Sequence, residues 1–444
     1  MNFMQEPDIK KIDELETGLK GITFDFILTM MQTYVESLDK EIKADKKWRR
    51  KRQIVVERNN DKREIFTQFG QLKYHRTYFH DKKNNTYVYL ADEAVGIDSY
   101  DRISTTVAAE MVEHSVETSY QESSRHVSDG QISRQTVMNK TRKVQEEKLK
   151  IKVKGPKRKV LIIHIDADED HVSLQDGTNT IVPLITIYEG TKRTGKRGEC
   201  INTHHIHGYG QSPEEIWLTV ANYIYDRYDT EYLERIYIHG DGANWIKTGK
   251  QWLPKSKLVL DKYHLNQAIM KITAGQEEYR QEMFSSVYKC DLAKFDELVF
   301  KLKKGTNNIK KRKRINQLKT YIHNNWEAIT IYKEEQVSGS CTEGHISHVL
   351  SSRFSSRPMG WSKNGLKVMT SLRVYCKNGG IITTDHFEKT EPEYKIKKET
   401  IRKAKKAFNK TTYENLSNIP AFNLGKKTPL SVALRAIQRG GYAI

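Results

Sequence analysis

Apolar positions in the first fifty residues recur every three or four: Ile12, Leu15, Leu19, Phe24, Ile27, Met31, Val35 and Leu38. That is a helical period, and it predicts helix over about 8–50. From 54 to 90 the pattern becomes one of β-formers. Ile54, Val55, Val56, Ile65, Phe66, Thr67 and Phe69 precede a turn at Gly70, then come Tyr74, Thr77, Tyr78 and Phe79, a polar turn at 81–85, and Thr86–Leu90. This predicts a small antiparallel unit. Residues 100–150 return to helical spacing, and the basic stretch KVKGPKRK (152–159) predicts a domain boundary. Beyond it, Val160–Ile165 is a buried-strand pattern that ends in Asp166-Ala167-Asp168-Glu169-Asp170. A second strand (Ile181–Tyr188), a basic Gly-rich loop (Gly190–Gly198), a helix from about Ser212 to Tyr228 and a third strand (Ile236–His239) follow. Strands alternating with helices predict an α/β sheet. Residues 264–335 are helical, polar and basic, as an inserted helical subdomain would be.

Composition narrows the partners. In 444 residues, 75 Lys and Arg stand against 56 Asp and Glu, a formal charge of +19. The excess is clustered in KADKKWRRKR (43–52), KLKKGTNNIKKRKR (301–314) and KIKKETIRKAKKAFNK (395–410). One such run is often a solvated helix face. Three in one chain point to a polyanion, of which nucleic acid is the commonest. The apolar stretch Ile22–Met31 is broken by Asp25 and falls short of the ~18 residues of a membrane span. No secretory signal is visible at the N-terminus. Cys200, Cys290, Cys341 and Cys376 form no CxxC pair, which disfavours a disulfide scaffold and fits a reducing cytoplasm. Cys200 with His204, His205 and His207 lacks the second spaced pair of a zinc site.

Several constellations could carry chemistry. In an extended strand Asp166, Asp168 and Asp170 share a face. Three carboxylates there repel one another unless a cation joins them, and oxygen-rich sites suit Mg²⁺ or Mn²⁺. Read alone, the cluster is equally a solvated strand end. Asp241 lies between glycines after the third strand, where α/β sheets gather functional groups, although Asp-Gly is also an ordinary turn. Asp261 and His264 could touch a metal or phosphate, or simply bond each other. Glu343 sits where a helix would begin, and on its own is a favourable first-turn acid. Residues 119–127 and 132–144, separated by a turn with Gly130, form a helix-turn-helix candidate or a generic helical hairpin. The second helix is capped by Ser133. Its Arg134, Gln135, Asn139 and Lys140, expected on the exposed face, and its Arg142 are side-chain types that read bases and phosphates.

HIDADEDHVSLQ (164–175), IYIHGDGANWIK (236–247), LDKYHL (260–265) and TEGHISHVLSSRFSSRPMGWS (342–362) together resemble the ISLre-type bacterial insertion-sequence transposases, relatives of the Mutator-like transposases. FGQLKYHRTYF (69–79) and the hairpin at 119–137 extend the resemblance over most of the chain. It implies an RNase H-like catalytic domain with a helical insertion, preceded by a small β unit and a helix-turn-helix region. The expected parts are an N-terminal helical region (1–50), a β-rich unit (51–98), a DNA-binding region (99–150), a catalytic core in two parts (158–264 and 336–380) around an insertion (265–335), and a basic C-terminal region (381–444).

The resemblance further implies an Asp-Asp-Glu triad with two divalent ions, Mg²⁺ or Mn²⁺. Asp168, four residues before Val172, fits the first acid; Asp241 and Glu343 fit the second and third, at separations of 73 and 102 residues. Asp166, Asp170, His264 and Arg353 are supporting candidates. Relatives often carry Cys-x-x-His near the start of the insertion, whereas Asp261 stands in the Cys position here.

The implied activity is metal-dependent cleavage at element ends followed by transfer of the 3′-OH into target DNA, by a homo-oligomer on double-stranded DNA. The setting would be the bacterial cytoplasm, at the nucleoid when bound. The rival expectations are a non-catalytic or domesticated DNA-binding protein and a structure-specific nuclease of the same fold.

Overall fold

A computed structural model describes residues 11–387 except 152, 154, 195, 196, 336, 338 and 358. The basic run at 395–410 and nearly all of the C-terminal region expected at 381–444 lie outside the described residues. The protein is mixed α/β, and its described chain divides into two compact units, 11–110 with 383–387, and 111–382.

The first unit opens with α1 (Ile12–Ala44) and α2 (Lys46–Lys51), continues into a sheet of β1 (Ile54–Thr67), β2 (Gly70–Asp81) and β3 (Thr86–Val88), and then forms α3 (Leu90–Ala94). The sheet is antiparallel in the order β1-β2-β3. Its tight connection pairs Thr67 with Gly70, whose φ of +110° suits glycine. Only the C-terminal half of α1 buries side chains: Val35, Leu38 and Ile42 join Ile54, Leu72, Tyr74 and Phe79 in one core. Buried Asp39 accepts the N–H and Oγ1–H of Thr77 at 2.9 and 2.6 Å, pinning the helix to β2. The division between the units falls inside α4 (Thr105–Glu117).

The second unit begins with α5 (Tyr120–Ser128) and α6 (Arg134–Arg142). Ser119 and Ser133 cap them, accepting N–H bonds from Glu122 and Thr136, and the turn between them uses left-handed Asp129 and Gly130. Then follow β4 (Ile162–Ser173), β5 (Asn179–Tyr188), β6 (Thr191–Thr194), β7 (Arg197–Cys200) and β8 (His204–His207). After α7 (Pro213–Arg227) come β9 (Arg235–Gly240), α8 (Asn244–Lys247), α9 (Gly249–Trp252) and β10 (Ser256–Leu260).

The central sheet has the order β10-β9-β4-β5-β8. β4, β9 and β10 run parallel, while β5 is antiparallel to both β4 and β8. Two details differ from the sequence expectation. β4 does not end at the acidic run, because β5 pairs with it as far as Ser173. The expected Gly-rich loop is instead the β6–β7 hairpin, with Thr191 opposite Cys200.

Period-two alternation gives β4 two characters. Ile163, Ile165 and Ala167 pack with Ile216, Trp217, Val220 and Ile224 of α7, while His164, Asp166, Asp168 and Asp170 occupy the opposite face. Past β10, α10 (Lys262–Ile272), α11 (Glu277–Tyr288), α12 (Leu292–Lys304), α13 (Ile309–Asn324) and α14 (Trp326–Glu334) enclose a separate core including Ile269, Met283, Phe295, Leu298, Ile315 and Ile322. The chain then returns to the sheet through α15 (Thr342–Ile346), a π-helical turn over Ser347–Ser351, α16 (Ser352–Phe354) and α17 (Lys363–Lys377). Among the described residues no helix is long and apolar enough to cross a membrane.

Candidate metal centre

Strand register sets the acids side by side. Asp166 pairs with His239 across β4 and β9, so Asp168, two residues further on, stands level with Asp241 just past the end of β9. Gly240 pairs with Leu260, and the Asp261 N–H donates to the Gly240 carbonyl at 2.8 Å, placing Asp261 one strand further out. Glu343 arrives from the opposite end of the unit's chain, on the first turn of α15.

The outer acids of the β4 run attach that returning segment. Asp166 accepts the Tyr188 hydroxyl at 3.1 Å and the Cys341 N–H at 2.9 Å, and His345 Nδ1 lies 3.1 Å from it. Asp170 accepts the hydroxyls of Ser351 and Ser355 at 3.0 and 2.8 Å. Both carboxylates are buried. Asp166 therefore clamps the start of α15, and Asp170 the π turn and α16. Asp168, between them, is left facing the gap.

One ligand atom each from Asp168, His264 and Glu343 gather within 4.8 Å of one another. Burial pushes the Asp168 carboxyl up to about 6, with the charges of Asp241 and Glu343 adding to the rise, against the opposing pull of the Glu169 N–H and His264. His264 is held by Asp261, whose Oδ2 lies 3.0 Å from its Nδ1, while Nε2 lies 3.7 Å from Glu343 Oε1. The bond to Asp261 raises His264 to about 9 against the effect of burial. Burial alone would raise Asp261, but bonds from His264 and Ser340 outweigh it and hold that carboxyl low. Asp241 keeps its carboxylate on the Ala243 N–H at 2.8 Å, and its carbonyl accepts the Tyr321 hydroxyl from α13 at 2.8 Å.

This donor set fits a divalent cation. The Asp168 and Glu343 carboxylates converge from β4 and α15 with one imidazole as the neighbouring positive charge, and hard cations take such oxygens; the Asp241 carboxylate, held by the Ala243 N–H, is not part of that group.

Other expected residues lie elsewhere. Arg353 is buried, donating from Nε to the Ser115 carbonyl at 3.1 Å and stacking 4.8 Å from the Trp361 ring, so it is scaffold. On α6, Arg134, Gln135, Asn139 and Arg142 are exposed, with Gln135 donating to Asn139 at 3.0 Å. Arg142 donates to the Ser362 hydroxyl, the cap of α17, at 3.1 Å. Lys140 corrects the exposed-face reading. It is 8% exposed, because positions three and four beyond buried Val137 fall on the inward face.

Sequence reasoning missed Arg373, Tyr321 and the contact between Cys200 and Cys341. Arg373 is 1% exposed and donates to the carbonyls of Val116 (2.7 Å), His348 (2.9 Å) and Val349, to Ser352 Oγ, and to Glu117. A π turn frees carbonyls from the helical ladder, and Arg373 takes up two of them. Nothing in its local sequence signals this role.

Comparison with known proteins places the chain among relatives. Residues 7–391 match the model of the "Uncharacterised protein family (UPF0236)". A UPF0236 protein of Caldanaerobacter subterraneus subsp. tengcongensis, named by four locus designations, is 40% identical over 432 residues, 96% of this chain and 92% of its own. Another from that organism carries eleven locus designations in its name, with the same identity and coverage. The "UPF0236 protein in vanSb 3'region" of Streptococcus gallolyticus is 22% identical over 390 residues, 83% of this chain and 84% of its own. A match across this much of the chain, joined by relatives of nearly the same length, shows that the protein belongs to the UPF0236 family.

Proposed function

We propose that the protein is a DNA transposase with an RNase H-like catalytic domain, which cleaves at element ends and transfers the 3′-OH to target DNA. The observation that carries this reading is the meeting of Asp168, His264 and Glu343, with Asp241 level with Asp168 on the adjoining strand. A mixed sheet with three parallel strands, two antiparallel ones and a helical insertion before the last acid supports the fold. The relative with eleven locus designations supports it from a different direction, since a self-copying gene would leave one protein at many loci.

Asp168, Asp241 and Glu343 would hold two Mg²⁺ or Mn²⁺ ions, with His264 beside them. When bound, such ions lower the pKa of an attacking water or hydroxyl and stabilise the leaving oxygen of an in-line displacement. The chain's own residues do the rest. Asp166 and Asp170 hold the Glu343 segment in place. Asp261 fixes the His264 ring so that Nε2 stands beside Glu343 and keeps its proton there. Exposed Arg134 and Gln135 would read base edges, and Arg142 and the lysine runs would neutralise phosphates.

The test is cleavage and joining of DNA bearing the inverted repeats that flank the gene. Both steps should require Mg²⁺ or Mn²⁺, stop with chelator, and vanish in Glu343→Gln while gel-shift binding persists. Cleavage by the wild type in excess chelator would overturn the reading.

A further inference from the structure

Beside Asp241 lies a cleft of about 480 Å³ between the α8 turn and one face of α13. Asn244 and Lys247 line one wall; Lys313, Asn316, Gln317 and Asn324 line the other. Those four positions on α13 recur at three, four and seven, so they form one stripe, while Ile315, Leu318 and Ile322 point into the helical core. The cleft abuts the metal centre, for Gly242 is in its wall and Tyr321, on the same stripe, bonds the Asp241 carbonyl.

The lining chemistry is selective. No carboxylate lines the cleft, and neither lysine is paired with one among the described residues. The carboxamides of Asn244, Asn316, Gln317 and Asn324 make no hydrogen bond within the described chain. A site for phosphate alone needs only donors. A carboxamide presents a donor and an acceptor side by side, the pattern that matches the edge of a nucleobase. A duplex buries its pairing edges, and the cleft, of the size that holds a drug-like ligand, is too small to admit one.

We propose that this cleft binds unpaired nucleotides of the DNA strand next to the scissile phosphate, the amides on base edges and Lys247 and Lys313 on the backbone. The proposal rests on DNA being the substrate, as in the function proposed above, and adds that the strand is locally unpaired there.

The experiment compares two labelled probes with the full chain in Ca²⁺: a blunt duplex, and the same duplex with a six-thymidine overhang. The wild type should bind the overhang probe about tenfold more tightly, and the paired substitution Asn316→Ala/Gln317→Ala should remove that preference with duplex affinity unchanged. Both positions are exposed and alanine favours helix, so the fold should persist, as circular dichroism would check. With 4-thiothymidine in the overhang, light should cross-link the wild type within residues 309–325. A wild type without preference, a variant that keeps it, or cross-links confined to other segments would overturn the proposal. Overhang preference lost in the variant, in a protein that never cuts DNA in Mg²⁺, would uphold the cleft and sink the transposase reading.

Discussion

Asp168 is buried among like charges, and a carboxyl held near 6 is ionised at neutral pH only at a cost to the fold. Asp168→Asn should therefore stabilise the metal-free protein, by on the order of 1–3 kcal/mol. The gain should shrink or reverse in excess Mn²⁺, because the wild type alone keeps its full ligand set. Thermal melts with chelator and with Mn²⁺ check this, and equal shifts in both would deny metal a role at Asp168. Arg373 carries the opposite sign. Removing its guanidinium leaves the carbonyls of Val116, His348 and Val349 buried without a donor, so Arg373→Met should cost about 3–5 kcal/mol in urea titrations. Asp168 could be selected in the sequence because period two put it on a face and the family motif chose among three acids. Arg373 could not. A lone arginine in an amphipathic helix reads as solvent-facing, and its partners lie 21 to 257 positions away.

At the scale of elements, α7 rests on a close approach. The Trp217 ring lies where a side chain at Gly249 would begin, with a Cβ there 2.6 Å from the ring. Gly249→Ala should destabilise by about 1–3 kcal/mol, read as a lower urea midpoint at unchanged m-value. The α5–α6 pair makes a separate prediction. Arg134→Ala with Gln135→Ala should narrow the gap between element-end and unrelated DNA by about 1–3 kcal/mol in competition gel shifts, since base contacts set that gap. An unchanged gap would remove base reading from α6. Both helices and the Ser133 cap were legible because caps and turns are local, whereas Ser119 reads as helix and is in fact the cap of α5. The burial of Lys140 needed only the helical period from Val137, yet which face turned inward depended on what packs there. The length of β4 was illegible for a related reason: its acidic half is strand only because β5 is there to pair with it.

For the whole molecule, the titrating groups divide by sign. Glu117, beside Arg373 and Lys377, and Glu189, beside Arg158 and Asn202, are pulled below their ordinary values although burial opposes this. Their contribution is full above about 4.5 and is lost as pH falls through their lower folded values. Asp168, raised by burial to about 6, acts the other way and is relieved as pH falls past that value. Burial holds His164, His204, His205, His207 and His239 below the ordinary imidazole value, so the unfolded chain takes up protons that the folded one refuses. Five such imidazoles outweigh one carboxyl, so metal-free stability should fall steadily as pH drops from 7 to 5 and more steeply below about 4.5. Urea midpoints across that range test it, and stability that holds or rises from pH 7 to 5 would contradict it.

The helical insertion also orders events in time. The ribosome releases Asp168 and Asp241 first, then all of α10–α14, and only afterwards Glu343 and the α17 arginine that secures its segment. At ~5–20 residues per second, the gap between the first acid and the last is roughly ten to thirty seconds. Throughout that interval the nascent chain already carries α5, α6 and much of its positive charge, but an incomplete ligand set. If the proposed function holds, a chain whose synthesis stops inside the insertion would be released with the basic surface that meets phosphates but without the acid that completes the site.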